Sequence, residues 1–191
     1  LDSSLKWQVE LELMDLLGKF PGAVCFVTHS RDEVYRLCKS VCVLDSGRSE
    51  PRQNVHDLFD APATLSACLL SGCKNISRAR ALDDGRVEAA DWGVTLTAAR
   101  PAGPELTHVG VRSHFLHPVD QPGENTIPCT VLQVVEDVFS TVVLLSTPGG
   151  DTGFSRLRLE LPKEDWAALG SPPTLFLQVD PAQVLLLASG R

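Results

Sequence analysis

Val27-Thr28-His29-Ser30-Arg31-Asp32-Glu33 joins two kinds of pattern. Upstream, residues 23–28 form a short, nearly all-apolar run, the composition of a strand buried on both faces of a parallel sheet. Downstream, Ser30 is followed three residues later by Glu33, a capping box, so a helix is expected to begin after His29 and run to about Lys39. His29 therefore falls where strand gives way to helix. A histidine in that place, beside the backbone N–H groups of a helix N-terminus, is positioned to donate a hydrogen bond to an anionic oxygen.

The flanks extend the pattern. Ser3 and Ser4 are candidate caps for a helix carrying Leu5, Val9, Leu13, Leu16 and Leu17 at helical spacing and ending at Gly18. That is an amphipathic helix of about four turns. Residues 41–44 form a second buried strand, closed by Asp45-Ser46-Gly47, and Asn54 and Pro62 each start a short helical stretch. The alternation of helix and strand predicts an α/β arrangement with its ligand at the carboxyl ends of the strands.

After Gly72 the texture changes. Residues 86–90, 92–98, 108–112, 130–136, 141–145, 154–160, 175–179 and 184–187 are short β-prone runs separated by Gly, Pro and Asp. Such spacing predicts a small antiparallel barrel or sandwich, with room for two diverged copies of one unit. Residues 162–169 interrupt it as a helix, with Pro162 in its first turn and Gly170 at its end. Trp92 and Trp166 read as core anchors. The boundary between the two parts is expected between Asp60 and Gly72.

Composition narrows the partners. The chain is 43% apolar and 21% charged, ordinary for a globular protein, with a net charge of −7 that disfavours nucleic acid and anionic lipid. No run approaches the roughly 18 apolar residues of a membrane span, and the polar first ten residues do not resemble a signal peptide. The six cysteines lack zinc-site spacing and read as reduced thiols. His108, His114 and His117 fall on different faces of a strand and its loop, so no metal site is expected.

Leu1-Asp2 ahead of a helix, then Val27-Thr28-His29 and Arg31-Asp32-Glu33, resemble the D-loop and H-loop of an ABC transporter ATPase. Residues 43–48, Val-Leu-Asp-Ser-Gly-Arg, and residues 58–62, Leu-Phe-Asp-Ala-Pro, resemble the segments that follow and close that nucleotide-binding domain. The match covers most of residues 1–65. It implies that His29 contacts the γ-phosphate of ATP and orients the attacking water, and that Asp2 lies at the contact between two ATPase copies. It also implies ATP and Mg as cofactors of the intact protein, transmembrane permease subunits as partners, and a place on the cytoplasmic face of the membrane. No GxxxxGK[ST] phosphate loop occurs in this chain, and the Walker B carboxylates and signature loop would lie upstream of Leu1. The chain by itself is therefore expected to bind no ATP and to hydrolyse none.

Residues 70–191 carry a second resemblance. Gly72-Cys73-Lys74-Asn75-Ile76-Ser77, Asp91-Trp92-Gly93, residues 109–114 and Glu124-Asn125-Thr126 are together similar to the regulatory domain of molybdate or tungstate importer ATPases, an OB-like barrel of the TOBE or MOP kind. It implies an oxyanion held by Ser113, Asn125 and Thr126, with Arg112 as charge partner. The residues themselves allow a local reading, in which Asn125 and Thr126 make a turn and Arg112 covers an exposed face. The expected whole is thus a partial α/β nucleotide-binding domain, 1–65, followed by a mostly antiparallel β domain, 70–191. That domain either senses an oxyanion or only joins two copies of the subunit, in which case the solute is of another class, such as sugar, polyamine or sulfate.

Overall fold

The computed structural model describes residues 3–189. It divides into two compact units, Leu1–Asp60 and Ala61–Arg191.

In the first unit, α1 (Ser3–Lys19) and α2 (Arg31–Leu37) are followed by four two-residue strands and α3 (Val55–Asp60). The strands are β1 (Ser40–Val41), β2 (Leu44–Asp45), β3 (Arg48–Ser49) and β4 (Gln53–Asn54), and they pair antiparallel as β1 with β4 and β2 with β3. Ser46 and Gly47 both take positive φ, 50° and 76°, which gives the β2–β3 turn the twist a two-residue hairpin needs. Asn54 starts α3, its Oδ1 accepting from the His56 N–H at 2.8 Å. The core is small: Val43, Val55 and Leu58 are buried. Tyr35 of α2 stands edge-on to His56 and Phe59 of α3. Arg36 ties α2 to α1 by pairing with Glu10 at 3.2 Å and lying over the Trp7 ring.

Two expectations are corrected here. Residues 23–28 form no strand, with Val27 83% exposed, and pairing in this unit is wholly antiparallel among the described residues. A buried parallel strand is stable only with neighbours to take its N–H and C=O groups and cover both faces; the described residues of this unit offer none. Likewise residues 41–44 do not form one buried strand: Val43 is buried while Leu44 is 66% exposed and turns into the hairpin. The apolar stripe of α1 is also half open to solvent, with Leu5, Val9 and Leu16 all exposed.

The second unit opens with α4 (Leu65–Leu70), capped by the Thr64 hydroxyl accepting from the Ala67 N–H. Then come β5 (Asn75–Ala81), β6 (Val87–Ala89), β7 (Val94–Leu96), β8 (Leu106–Val111), β9 (Leu116–Val119), β10 (Thr126–Glu136), β11 (Ser140–Ser146) and β12 (Leu157–Pro162). After α5 (Lys163–Ala168), β13 (Thr174–Val179) and β14 (Leu185–Ala188) complete it. Two five-stranded antiparallel sheets result, ordered β14-β8-β5-β6-β7 and β12-β11-β10-β13-β9.

These orders encode a repeat. If β5 to β9 form one copy and β10 to β14 the next, the first four strands of each copy build their own sheet in the same order, and the fifth crosses to the edge of the other. β9 pairs with β13, and β14 pairs with β8. A 3-10 turn, Ser113–Phe115 or Pro181–Gln183, precedes each exchanged strand. Both sheets contribute to one core, in which Val87, Trp92, Leu96, Val109, Ile127, Leu145, Leu157 and Leu177 are fully buried. Each such aliphatic side chain stabilises the fold by about 1.5–3 kcal/mol relative to exposure. The predicted sandwich is present, with β5 and β9 as strands additional to those expected. Trp92 lies in the β6–β7 turn, because Gly93 takes φ 68° directly after it.

Candidate functional site

His29 lies on the exposed linker before α2. Its neighbours on both sides are fixed by one carboxylate. Thr28 Oγ1 donates to Glu33 Oε2 at 2.7 Å and accepts from the Ser30 N–H at 3.0 Å, while Ser30 Oγ accepts from the Glu33 N–H at 3.4 Å. Glu33 thus reaches the N-cap amide through the Thr28 hydroxyl, a one-hydroxyl extension of the capping box. The imidazole is carried on a pinned backbone and directed to solvent. Asp2, the other residue implied for the ATPase part, lies outside the described residues.

The four residues implied for an oxyanion sit on the β unit in two separate places. Arg112 follows β8 and donates through Nη1 and Nη2 to the Ser71 carbonyl and hydroxyl, both at 3.0 Å. Ser113 is buried in the 3-10 turn beside it. Asn125, just before β10, donates from Nδ2 to the Thr97 carbonyl at 2.7 Å and accepts at Oδ1 from the Thr97 N–H at 2.6 Å. Thr126 exchanges two hydrogen bonds with the Gly123 backbone. Arg112 is therefore committed to the end of α4, Asn125 to the end of β7, and Thr126 to its own turn.

The sequence reasoning did not single out Asn75. This fully buried residue at the start of β5 treats Arg158 on β12 as Asn125 treats Thr97: Nδ2 donates to the Arg158 carbonyl at 3.0 Å and Oδ1 accepts from its N–H at 2.6 Å. An asparagine opening the first strand of each repeat is the signal that would have found it. The Arg158 Nε is buried and lacks a hydrogen-bond partner. Arg78 and Asp91 form a further network: the carboxylate accepts from the Arg78 N–H, Nε and Nη2, and the Asp91 N–H donates to Ser77 Oγ. The Arg78 guanidinium holds the Asp91 carboxyl below the usual carboxylate range. Burial and the Arg112 charge lower His114. Among the described residues no cluster of three metal-ligating side chains occurs, and no helix is long and apolar enough to cross a membrane.

No family model matches the chain. The spermidine/putrescine import ATP-binding protein PotA of Rubrobacter xylanophilus is 28% identical over 164 residues, 78% of this chain and 42% of that protein. The sn-glycerol-3-phosphate import ATP-binding protein UgpC of Yersinia enterocolitica is 28% identical over 194 residues, 95% of this chain and 51% of that protein. The Fe(3+) ions import ATP-binding protein FbpC of Streptomyces coelicolor is 26% identical over 69% of this chain. The relatives are ATP-binding subunits of ABC importers. This chain spans about half the length of the curated relatives it matches. Among solved structures, the cytoplasmic molybdate-binding protein ModG with molybdate bound aligns with 62% of the chain at 19% identity and a TM-score of 0.48.

Proposed function

We propose that this chain is the C-terminal part of the ATP-binding subunit of an ABC importer, with residues 1–65 belonging to the nucleotide-binding domain and residues 70–191 forming an accessory β domain that joins two copies of the subunit. The observation that carries this reading is the similarity to an import ATP-binding protein over 95% of the chain, which takes in the Val27-Thr28-His29 block and the β unit together. His29 then contacts the terminal phosphate of ATP held with Mg in the complete subunit, Asp2 faces the second copy, and permease subunits anchor the assembly at the cytoplasmic face of the membrane. The matched relatives are named for a polyamine, a phosphate ester and a metal ion, so the β domain is read as serving importers irrespective of solute. His29→Ala in the full subunit assembled with its permease is expected to lower ATPase turnover by ~10²-fold or more, as loss of a transition-state hydrogen-bond donor does. Unchanged turnover would refute the assignment.

A second reading, oxyanion sensing with molybdate as ligand, draws on the buried Arg158 Nε, a donor that an anion would complete. Titrating the chain with molybdate separates the two: heat of binding that Arg158→Gln abolishes favours sensing, and heat of dilution alone leaves the β domain as a joining element.

A further inference from the structure

We propose that Cys68 and Cys73 form a peroxide-sensitive dithiol site that closes to a disulfide across the C-terminal end of α4. The pairing follows from how that helix stops. Gly72 takes φ 94°, its N–H donates to the Leu69 carbonyl at 3.0 Å, and the Cys73 N–H donates to the Cys68 carbonyl at 3.1 Å. This double bond pattern is the Schellman ending, in which the third residue from the helix end and the second beyond its cap bring their side chains into contact. Both positions are cysteines here.

Surroundings keep the two sulfurs together. A Cβ placed on Gly110, across from them on β8, would lie 3.2 Å from the Cys68 Sγ and 3.3 Å from the Cys73 Sγ, so both sulfurs converge on the space that glycine leaves open. Arg112 closes the other side by holding Ser71, whose hydroxyl donates to the Cys68 carbonyl. The two thiols are not chemically alike. A hydrogen bond from Cys68, the Arg112 charge and the Asn75 and Val111 backbone lower Cys73 against its burial, whereas the same hydrogen bond and burial raise Cys68. Cys73 is thus the more acidic of the two thiols and the first nucleophile, with Cys68 donating a hydrogen bond to it.

The reaction balances with a hydroperoxide as oxidant. The Cys73 thiol gives up its proton and its sulfur attacks one peroxide oxygen; the S–O bond forms, the O–O bond breaks, and the leaving hydroxide takes up that proton to become the first water. The Cys68 sulfur then attacks the Cys73 sulfenic acid; the S–S bond forms, the S–O bond breaks, and water leaves with the Cys68 proton. Two thiols lose two electrons and hydrogen peroxide becomes two waters.

Trypsin isolates the pair, because residues 53–74 contain Cys68 and Cys73, no other cysteine, and no Lys or Arg before Lys74. The folded 191-residue chain is treated with hydrogen peroxide, unfolded, alkylated and digested. The expected peptide 53–74 is lighter than the reduced peptide by two hydrogen atoms and carries no alkyl group, while the peptide bearing buried Cys129, whose thiol burial pushes up to about 12, is alkylated. In Cys73→Ser, Cys68 is expected to remain alkylatable. A wild-type peptide 53–74 carrying two alkyl groups, or a disulfide that forms only when oxidant is added in denaturant, would overturn the proposal. The wild-type result stands even if the variant does not fold.

Discussion

Asn75 and Asn125 hold equivalent places at the first strands of the two β repeats, and each carboxamide closes on the backbone N–H and C=O of one residue in the other repeat, Arg158 and Thr97 respectively. An amide side chain has the same donor and acceptor as a peptide unit, so each asparagine acts as a one-residue strand neighbour where the ladder would otherwise end. The exchanged strands β9 and β14 join the repeats at the sheet edges, and the two asparagines join them again.

Removing either carboxamide leaves one peptide N–H and one C=O without partners in a half-buried place. Asn75→Ala and Asn125→Gly are each expected to cost about 2 kcal/mol, the desolvation penalty of orphaned polar groups. Glycine is the right probe at position 125, where φ is 54° and alanine would add backbone strain. Urea unfolding of the chain measures both. If Asn125→Gly is as stable as the parent and instead loses an oxyanion-binding signal, Asn125 is a ligand residue and not a clasp.

Asp91 contributes to the acid side of stability. Arg78 depresses its folded-state pKa, so between the folded and unfolded values the unfolded chain binds more protons. The contribution is complete above the unfolded carboxyl value, about 3.9, and disappears as pH falls through the lower folded one. Burial, helped by the Arg78 charge and opposed by Asp91, lowers His108, and burial lowers His114 likewise, so a first loss begins as pH drops below about 6.5. Asp91→Asn should weaken the loss below pH ~4 and deepen the histidine step, because the carboxylate that favours the charged form of His108 is gone. Thermal midpoints measured across pH 2–8 test it, and an unaltered acid limb would exclude the Arg78–Asp91 pair as its source.

Glycines in the turns divide sharply by what lies beside them. A Cβ on Gly149 would fall on the Asp91 carbonyl oxygen, and one on Gly93, already at φ 68°, would sit 2.8 Å from the Gly149 nitrogen. Gly123 has nothing within 4 Å. Gly149→Ala and Gly93→Ala are therefore expected to destabilise the β unit by about 3 kcal/mol or more, and Gly123→Ala by less than about 0.5 kcal/mol. Equal thermal midpoints for Gly149→Ala and Gly123→Ala would show that the 91–93 and 148–150 turns separate freely.

What could be read in advance followed the range of the interactions. Alternation and turn residues are local, so most strands of the β unit, α5 and the core tryptophans were legible, as was the capping of α2 by Ser30 and Glu33. Strand β5 was hidden by its Ser77, Arg78 and Arg80, polar residues that serve the Asp91 network and the Glu88 pair across the sheet. Residues 23–28 misled because an apolar run declares a wish for burial and not the presence of neighbours. Asn125 and Arg112 have the composition of ligand residues, and their partners Thr97 and Ser71 lie 28 and 41 positions away, beyond any local pattern.

Burial of the tryptophans differs between the two units. Trp92 is fully buried with its Nε1 donating to the Phe154 carbonyl, and Trp166 is 7% exposed, whereas Trp7 of the first unit is 50% exposed. The first unit also leaves Leu5, Val9, Phe20 and Phe26 exposed, apolar side chains that an amphipathic dye can bind. Residues 61–191 produced alone should therefore unfold in one cooperative transition with blue-shifted tryptophan emission, and should not bind the dye ANS. The complete chain should bind ANS, and Trp7→Phe should remove the red-shifted part of its emission. An isolated 61–191 with exposed-tryptophan emission and a gradual urea profile would mean that the β core needs the first unit to form.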